Sequence, residues 1–600
     1  MGRCRNNAAA TMGSLAAALG RSIAGSLRPS KAPWAVGPAL WATGTAALIA
    51  GTGVLFGQLQ LVGLAYLGAA CAVIFLVRGF YRARWWAWVA QAIGGAVGIS
   101  VGAQLWPGFG VGQVLTAAVA GAISGMVGGT GPSAPAFGLM LSIGVAFGQF
   151  GGSSLPWWQQ AVWYLAGTSV AAVSVLAPWA FHRDKPERRA QAAVYFAAAD
   201  LCAAIGTEQA GAARGRLAAA SAVARAARNR RRADLVAFAA ATLYAQGRPV
   251  PPAAIAAIRQ AGQQIWDGIP VSVPFSEADA DGDPGLVELA DALSRQPQRP
   301  GTVKPEAPGL SGLLRTATSR AGLANGVRLG LCMAVATALT VAMRQPTHSF
   351  WLPLTTAVIV RPEYASVFVR TVNRIFGTLI GALVATTVLA VLSPGLPLVV
   401  ATALALGFVV LSVPKLYGLA VIGITTSALL SQSIGQPDPV APAVRLWDTF
   451  VGAAVAVVFG YLLWPEARRF PAYAQLVRGL TASHSYLTEA VKPATQRRHW
   501  QSIRADAYRL AHQVRGTAEA AALEPPPVSS LALRVIPAAI DLEDTVDAIT
   551  AVSSAVDAGE DPAALIVQVR RRLENLDQTA TAWASGPLGS SGYGRSSGSR

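Results

Sequence analysis

Between Gly326 and Gly381 a mostly apolar stretch is punctuated by residues able to hold an anion: Arg328, Trp351, Pro353, Thr355, Thr356, Arg361, Arg370 and Arg374. A guanidinium presents a planar fork of N–H donors and does not deprotonate. Arginines in a low-dielectric pathway would therefore compensate the charge of a carboxylate passing through it, with Thr355 and Thr356 adding hydroxyl donors and Trp351 an aromatic wall for a ring. Arginines at helix ends also act as anchors that snorkel to lipid headgroups, and Arg361 and Arg370 suit that role. Arg328 and Arg374 lie deeper in their helices, where a charge is costly and functional use is the default expectation. Only sixteen residues separate Arg344 from Arg361, with Pro353 among them. A short, interrupted helix is expected there, of the kind that marks substrate sites in transporters, the bland alternative being a kink in a thinned bilayer.

Other chemistries find little support. The four cysteines (Cys4, Cys71, Cys202, Cys332) lack metal-binding spacing and the five histidines form no HExxH cluster, so no metal and no other cofactor is expected. No GxxxxGK[ST] phosphate cradle is present, which excludes that route to ATP-driven pumping, and no catalytic constellation suggests an enzyme. Proton coupling would have to use Asp448, near the start of the last apolar segment, or His348 on the outer side. This scarcity of titratable acids slightly favours a channel-like pathway over tightly coupled exchange.

The elements that position these residues follow from charge. Between Lys31 and Arg183 only Arg78, Arg82 and Arg84 are charged, although 53% of the 600-residue chain is hydrophobic. A spanning helix needs roughly 20 mostly apolar residues. Crossings are expected near 34–52, 56–77, 85–105, 111–129, 133–151 and 160–181, and again near 322–343, 347–361, 374–392, 396–413, 416–433 and 446–465. After each set comes an arginine cluster and a stretch with helical spacing of apolar residues. The boundaries read as a basic cytoplasmic N-terminal arm (1–32), a first six-helix block (33–182), a cytoplasmic helical domain (183–320), a second six-helix block (321–466), a C-terminal cytoplasmic helical domain (467–584) and a flexible Gly/Ser tail (585–600). Residues 8–20 are too short an apolar run for a signal peptide and read as part of that arm.

An internal repeat runs through this plan. Gly94 and Gly98 precede Gly377 and Gly381 by 283 positions, and Gly167 precedes Gly452 by 285. Each GxxxG pair also permits close helix packing. The expected fold is an all-α membrane protein built from two parallel repeats of a six-helix transmembrane bundle, each followed by a cytoplasmic helical domain. Arginine and lysine cluster in the N-terminal arm, the loop at 78–84 and the junctions after each block, which places both termini inside. The net charge of +18 follows from that bias. It points to the lipid bilayer as partner and not to nucleic acid. The second block's outer loops hold only Arg344, Asp438 and Arg445, near their edges. The basic run Arg225, Arg228, Arg230, Arg231 and Arg232 reads as a solvated face or a contact for anionic lipid or the acidic stretch at 276–285.

The order of Arg328, then Trp351, Pro353 and Thr355, then Pro362, Arg370, Arg374 and the Gly377-Thr378-x-x-Gly381 helix resembles the fusaric acid resistance protein-like (FUSC) family, which includes aromatic acid exporters and is distantly similar to plant aluminium-activated malate channels. The two-block architecture is also similar to that family. At offset 283 the first block has Gln91, Ala87 and Thr45 where the second has Arg374, Arg370 and Arg328, and only Arg361 has a basic counterpart, Arg78. The halves therefore cannot contribute equally to a site made of arginines. The resemblance implies a multi-pass plasma-membrane exporter of small organic anions of aromatic carboxylate type, and makes a homo-oligomer plausible. A passive anion channel and a non-transporting membrane scaffold stay open as alternatives. A major facilitator is disfavoured, because RGFYRAR at 78–84 lacks the Asp usual in that fold's second-to-third loop.

Overall fold

The computed structural model describes residues 20, 22–30, 32–76, 79–105, 108, 110–177, 184–227, 230–294, 309–343, 350–360, 367–434, 440–464, 472–526 and 528–585. Arg361 and His348 lie outside these, as do Arg78, Arg228, Arg344, Pro362 and Asp438. The chain divides into two compact units, one holding Met1–Phe181, Glu306–Arg468 and Leu523–Pro526, the other holding the remainder.

Helices occupy all twelve apolar segments of the first unit. They run Val36–Leu55, Leu59–Leu76, Tyr81–Gln104, Gly110–Val127, Ala134–Phe150 and Trp157–Leu176, then Arg320–Met343, Trp351–Ile359, Val367–Val391, Leu396–Ser412, Tyr417–Gln432 and Ala441–Val457. Six of them are long and apolar enough to cross a membrane: Val36–Leu55, Tyr81–Gln104, Gly110–Val127, Arg320–Met343, Val367–Val391 and Ala441–Leu462. The segment expected to cross at 347–361 does not do so as a helix. Its nine residues, Trp351–Ile359, extend roughly 14 Å at 1.5 Å per residue. Pro353 does not interrupt it. Proline stands in the first turn, where its missing N–H has no intrahelical acceptor to lose.

The helices of this unit pair in a reciprocal pattern. Tyr81–Gln104 packs on Ala134–Phe150 as Val367–Val391 packs on Tyr417–Gln432, and Leu59–Leu76 packs on Trp157–Leu176 as Trp351–Ile359 packs on Ala441–Val457. Across the blocks, Val36–Leu55 meets Leu396–Ser412 while Arg320–Met343 meets Gly110–Val127. Glycine makes the tightest approaches possible. A Cβ on Gly94 would collide with the Phe137 carbonyl and one on Gly98 with the Leu141 carbonyl, and Gly377 and Gly381 stand equally close to Val421 and Ile422. With no solvent-driven hydrophobic gain between helices in lipid, such backbone-to-backbone contact is a main source of attraction. Tyr66 adds a polar tie across the blocks, its hydroxyl 2.5 Å from Ser427 Oγ.

The second unit contains two helical bundles, each with its own hydrophobic core. One gathers Tyr195, Leu201, Val236, Ile258 and Leu289. The other gathers Leu476, Tyr486, Val514, Leu542 and Leu573. Ion pairs join them. Arg214 reaches Glu543 at 3.2 Å, Asp544 at 2.8 Å and Asp547 at 2.5 Å. Arg504 reaches Glu288 at 2.9 Å and the Thr242 hydroxyl at 2.7 Å. Glu543 also meets His512 Nδ1 at 2.7 Å and Arg515 at 2.9 Å. Burial pushes the Glu543 carboxyl up, but His512, Arg515 and Arg214 together hold it below its ordinary value. Asp547 goes the other way, because its burial outweighs Arg214 and Tyr508.

Two outcomes follow. Gly98→Val forces the Tyr81–Gln104 and Ala134–Phe150 helices apart and lowers stability by about 1–3 kcal/mol, read as a drop in the apparent Tm of purified protein. Glu543→Gln strips Arg214, Arg515 and His512 of their shared carboxylate and costs about 3 kcal/mol. Because the folded Glu543 carboxyl lies below its unfolded value of about 4.3, its contribution is complete above that pH and is lost as pH falls through the folded value. Thermal unfolding from pH 7 down to pH 3 shows a loss of Tm in wild type that the Gln variant shows to a smaller extent.

Candidate functional site

The short Trp351–Ile359 helix is enclosed by protein. Trp351, Leu352, Pro353, Leu354, Thr355, Thr356, Ala357 and Ile359 are all buried, packed against the Ala441–Val457, Arg320–Met343 and Ala134–Phe150 helices. Its aromatic end continues into the first block, where Phe147 stacks on Phe350 with ring centroids 4.2 Å apart, and Phe350 lies 4.4 Å from Trp351.

On the Trp351 ring sits Arg445, its Cζ 4.0 Å from the centroid. Arg445 Nη1 donates to Thr355 Oγ1 at 3.3 Å. Sequence reasoning placed Arg445 at the edge of an outer loop. The structure corrects this: the residue lies inside the Ala441–Val457 helix and is 0% exposed. Asp448 is one turn further along the same helix and equally enclosed, not the solvated helix-end acid its position suggested. Asp448 and Arg374 both lie within electrostatic reach of Arg445. The signal missed in the sequence is the Arg445-x-x-Asp448 spacing, which puts both charges on one helix face, while Trp447 and Phe450 take the exposed one.

The other expected site residues divide. Arg374 is 1% exposed, and its Nε and Nη2 have no acceptor among the described residues. The same two atoms of Arg445 are likewise without one. Arg328 is buried but committed to the backbone, its Nε donating to the Gly460 carbonyl at 2.5 Å. That carbonyl lies in a π turn, Val458–Leu462, that extends the last helix. Thr356 turns to carbonyls, Leu352 O at 3.1 Å and Gly452 O at 3.3 Å. Arg370 is half-buried. The structure therefore gathers Trp351, Thr355, Arg445, Arg374 and Asp448, with Arg328 and Thr356 serving as cross-ties.

Residues 331–459, which hold this group, match the family model described as fusaric acid resistance protein-like. Over that stretch the chain is similar to the fusaric acid resistance protein-like family. Shorter stretches are similar to curated proteins. An uncharacterized protein of Synechocystis sp. is 29% identical over 175 residues, 28% of this chain and 22% of the relative. The uncharacterized protein YhfK of Escherichia coli is 30% identical over 150 residues, 24% of this chain and 21% of the relative, and an uncharacterized Haemophilus influenzae protein is 32% identical over 150 residues, 24% and 20%. The matches span about a fifth of the relatives' length. No solved structure gives a significant match. With its apolar helices and this partial match, the chain is a helical membrane protein.

In this domain a charge without full compensation is held in the interior at a cost to stability. Arg445→Met is therefore expected to be neutral or up to about 2 kcal/mol stabilising, whereas Arg328→Met, which strips a donor from a buried carbonyl, is expected to destabilise by about 1–3 kcal/mol. Apparent Tm values of the two purified variants check the contrast.

Proposed function

We propose that this protein is a multi-pass transporter of the plasma membrane that moves organic anions, with the second block holding the substrate. The observation that carries this reading is the burial of Arg374 and Arg445 with N–H groups that meet no acceptor among the described residues. Among the described residues these two interior cations stand against one nearby acid, Asp448, so an anion completes the charge balance. Trp351 and the aromatic residues behind it offer apolar contact for a ring. The fusaric acid resistance protein-like match agrees with transport.

The architecture in this reading is two parallel six-helix repeats with the termini inside. The reciprocal helix pairing supports it, since each pair in the first block has a partner about 284 positions later. Passive anion flux is the second reading. It is favoured by the scarcity of proton carriers: Asp448 is the one acid in the twelve helices among the described residues.

Uptake of radiolabelled 4-hydroxybenzoate and malate into inside-out vesicles tests both. Accumulation driven by a proton gradient identifies coupled export, and equilibration without a gradient identifies a channel. Arg374→Gln is expected to lower either flux by about tenfold or more at equal protein level, the equivalent of about 1.4 kcal/mol. Wild-type flux equal to that of empty vesicles for every anion would overturn the reading.

A further inference from the structure

We infer that the side-on edge of Arg445, formed by Nε and Nη2, is the seat for a flat two-oxygen anion group, with Thr355 and Trp351 as its positioning residues. This rests on the anion-transport reading and adds to it where the anion docks and how it is selected.

A guanidinium has two ways to grip a carboxylate with paired N–H bonds: end-on through its two terminal nitrogens, or side-on through Nε and the terminal nitrogen on the same side. In Arg445 the end-on grip is compromised, because Nη1 is engaged by Thr355. The side-on pair is the one left without acceptors among the described residues, on a side chain 0% exposed. The Trp351 ring against one face removes much of the remaining rotational freedom. The fork is therefore set before any ligand arrives, which keeps the entropy cost of binding small. Two parallel donors match two coplanar oxygens, whereas a spherical halide satisfies them less well and keeps less of its hydration.

The first block shows what this position becomes without the fork. By the 285-residue offset of Gly167 and Gly452, Gln160 stands where Arg445 does, and by the 283-residue offset Gln91 stands where Arg374 does. Both amides are buried and uncharged and each makes an internal hydrogen bond, with Gln91 Nε2 left without an acceptor among the described residues. Gln160 Nε2 donates to the Leu155 carbonyl at 2.8 Å, and Gln91 Oε1 accepts from the Tyr164 hydroxyl at 3.2 Å. At these two positions the first block therefore offers no guanidinium fork.

The test is equilibrium binding of radiolabelled benzoate to the purified full chain in detergent, with formate and chloride as competitors. Wild type is expected to bind one benzoate per chain, with formate displacing it and chloride about tenfold less effective. Arg445→Lys keeps the charge and removes the fork, so benzoate affinity should fall about tenfold and the preference over chloride disappear. Thr355→Val leaves every charge in place and releases Nη1, and a three- to tenfold loss is expected, about one lost hydrogen bond. It serves as the second variant should the lysine protein not fold. Wild-type affinity and selectivity in both variants would overturn the inference. If both variants bound as wild type while Arg374→Gln abolished binding, the anion reading would survive and the Arg445 seat would not. Absence of benzoate, formate and chloride binding to wild type would overturn both.

Discussion

A nine-residue helix cannot bridge a hydrocarbon core about 30 Å thick, and the second block is arranged around that shortfall. Helix ends that stop short expose backbone groups, and in lipid these have no water to turn to. The Trp351–Ile359 helix is accordingly walled in by its neighbours, with its side chains buried on every face. Enclosure on that scale makes an interior in which a cation can be held away from lipid. Arg445, Arg374 and Asp448 use it. The stacking of Arg445 on Trp351 then depends on both the short helix and the last long helix keeping their places.

Much of this was legible in the sequence because membrane segments obey one dominant rule. The absence of charge between Arg84 and Arg183 leaves apolar helices as the reading for that stretch, and each of the twelve segments is helical. Local composition does not report which face of a helix meets protein. Arg445, three residues from Asp448 and beside Trp447, looked like loop-edge charge because positive residues usually collect at helix ends. Only the pairing of Ala441–Val457 with the short helix turns it inward. Pro353 was misread for a related reason. Proline breaks a helix from the middle, and where the helix begins at Trp351 the same residue is merely part of its first turn.

The second unit solves a different problem, in water-facing chemistry. Its bundles keep separate apolar cores and meet through carboxylates and guanidinium groups, with Glu543 shared by Arg214, Arg515 and His512. Such joints fix register through direction and charge, where an apolar joint would allow sliding. The sequence showed the amphipathic helices but not this joint. The partners that cross it lie more than 200 residues apart, as with Arg214 and Asp547 or Arg504 and Glu288, and no local spacing announces them.

The π turn at Val458–Leu462 gives the last helix a change of phase. Leu463 N–H bonds back to Val458, and Trp464 N–H bonds to Tyr461, so the Gly460 carbonyl is left for the Arg328 guanidinium. One additional residue in the winding rotates everything after it by about 100° relative to an uninterrupted α-helix. The helix thus behaves as two cylinders set out of step on a single axis. The earlier one aims Arg445 at the short helix, and the later one offers a bare carbonyl to the helix that opens the second block. A regular α-helix could serve one of those alignments only.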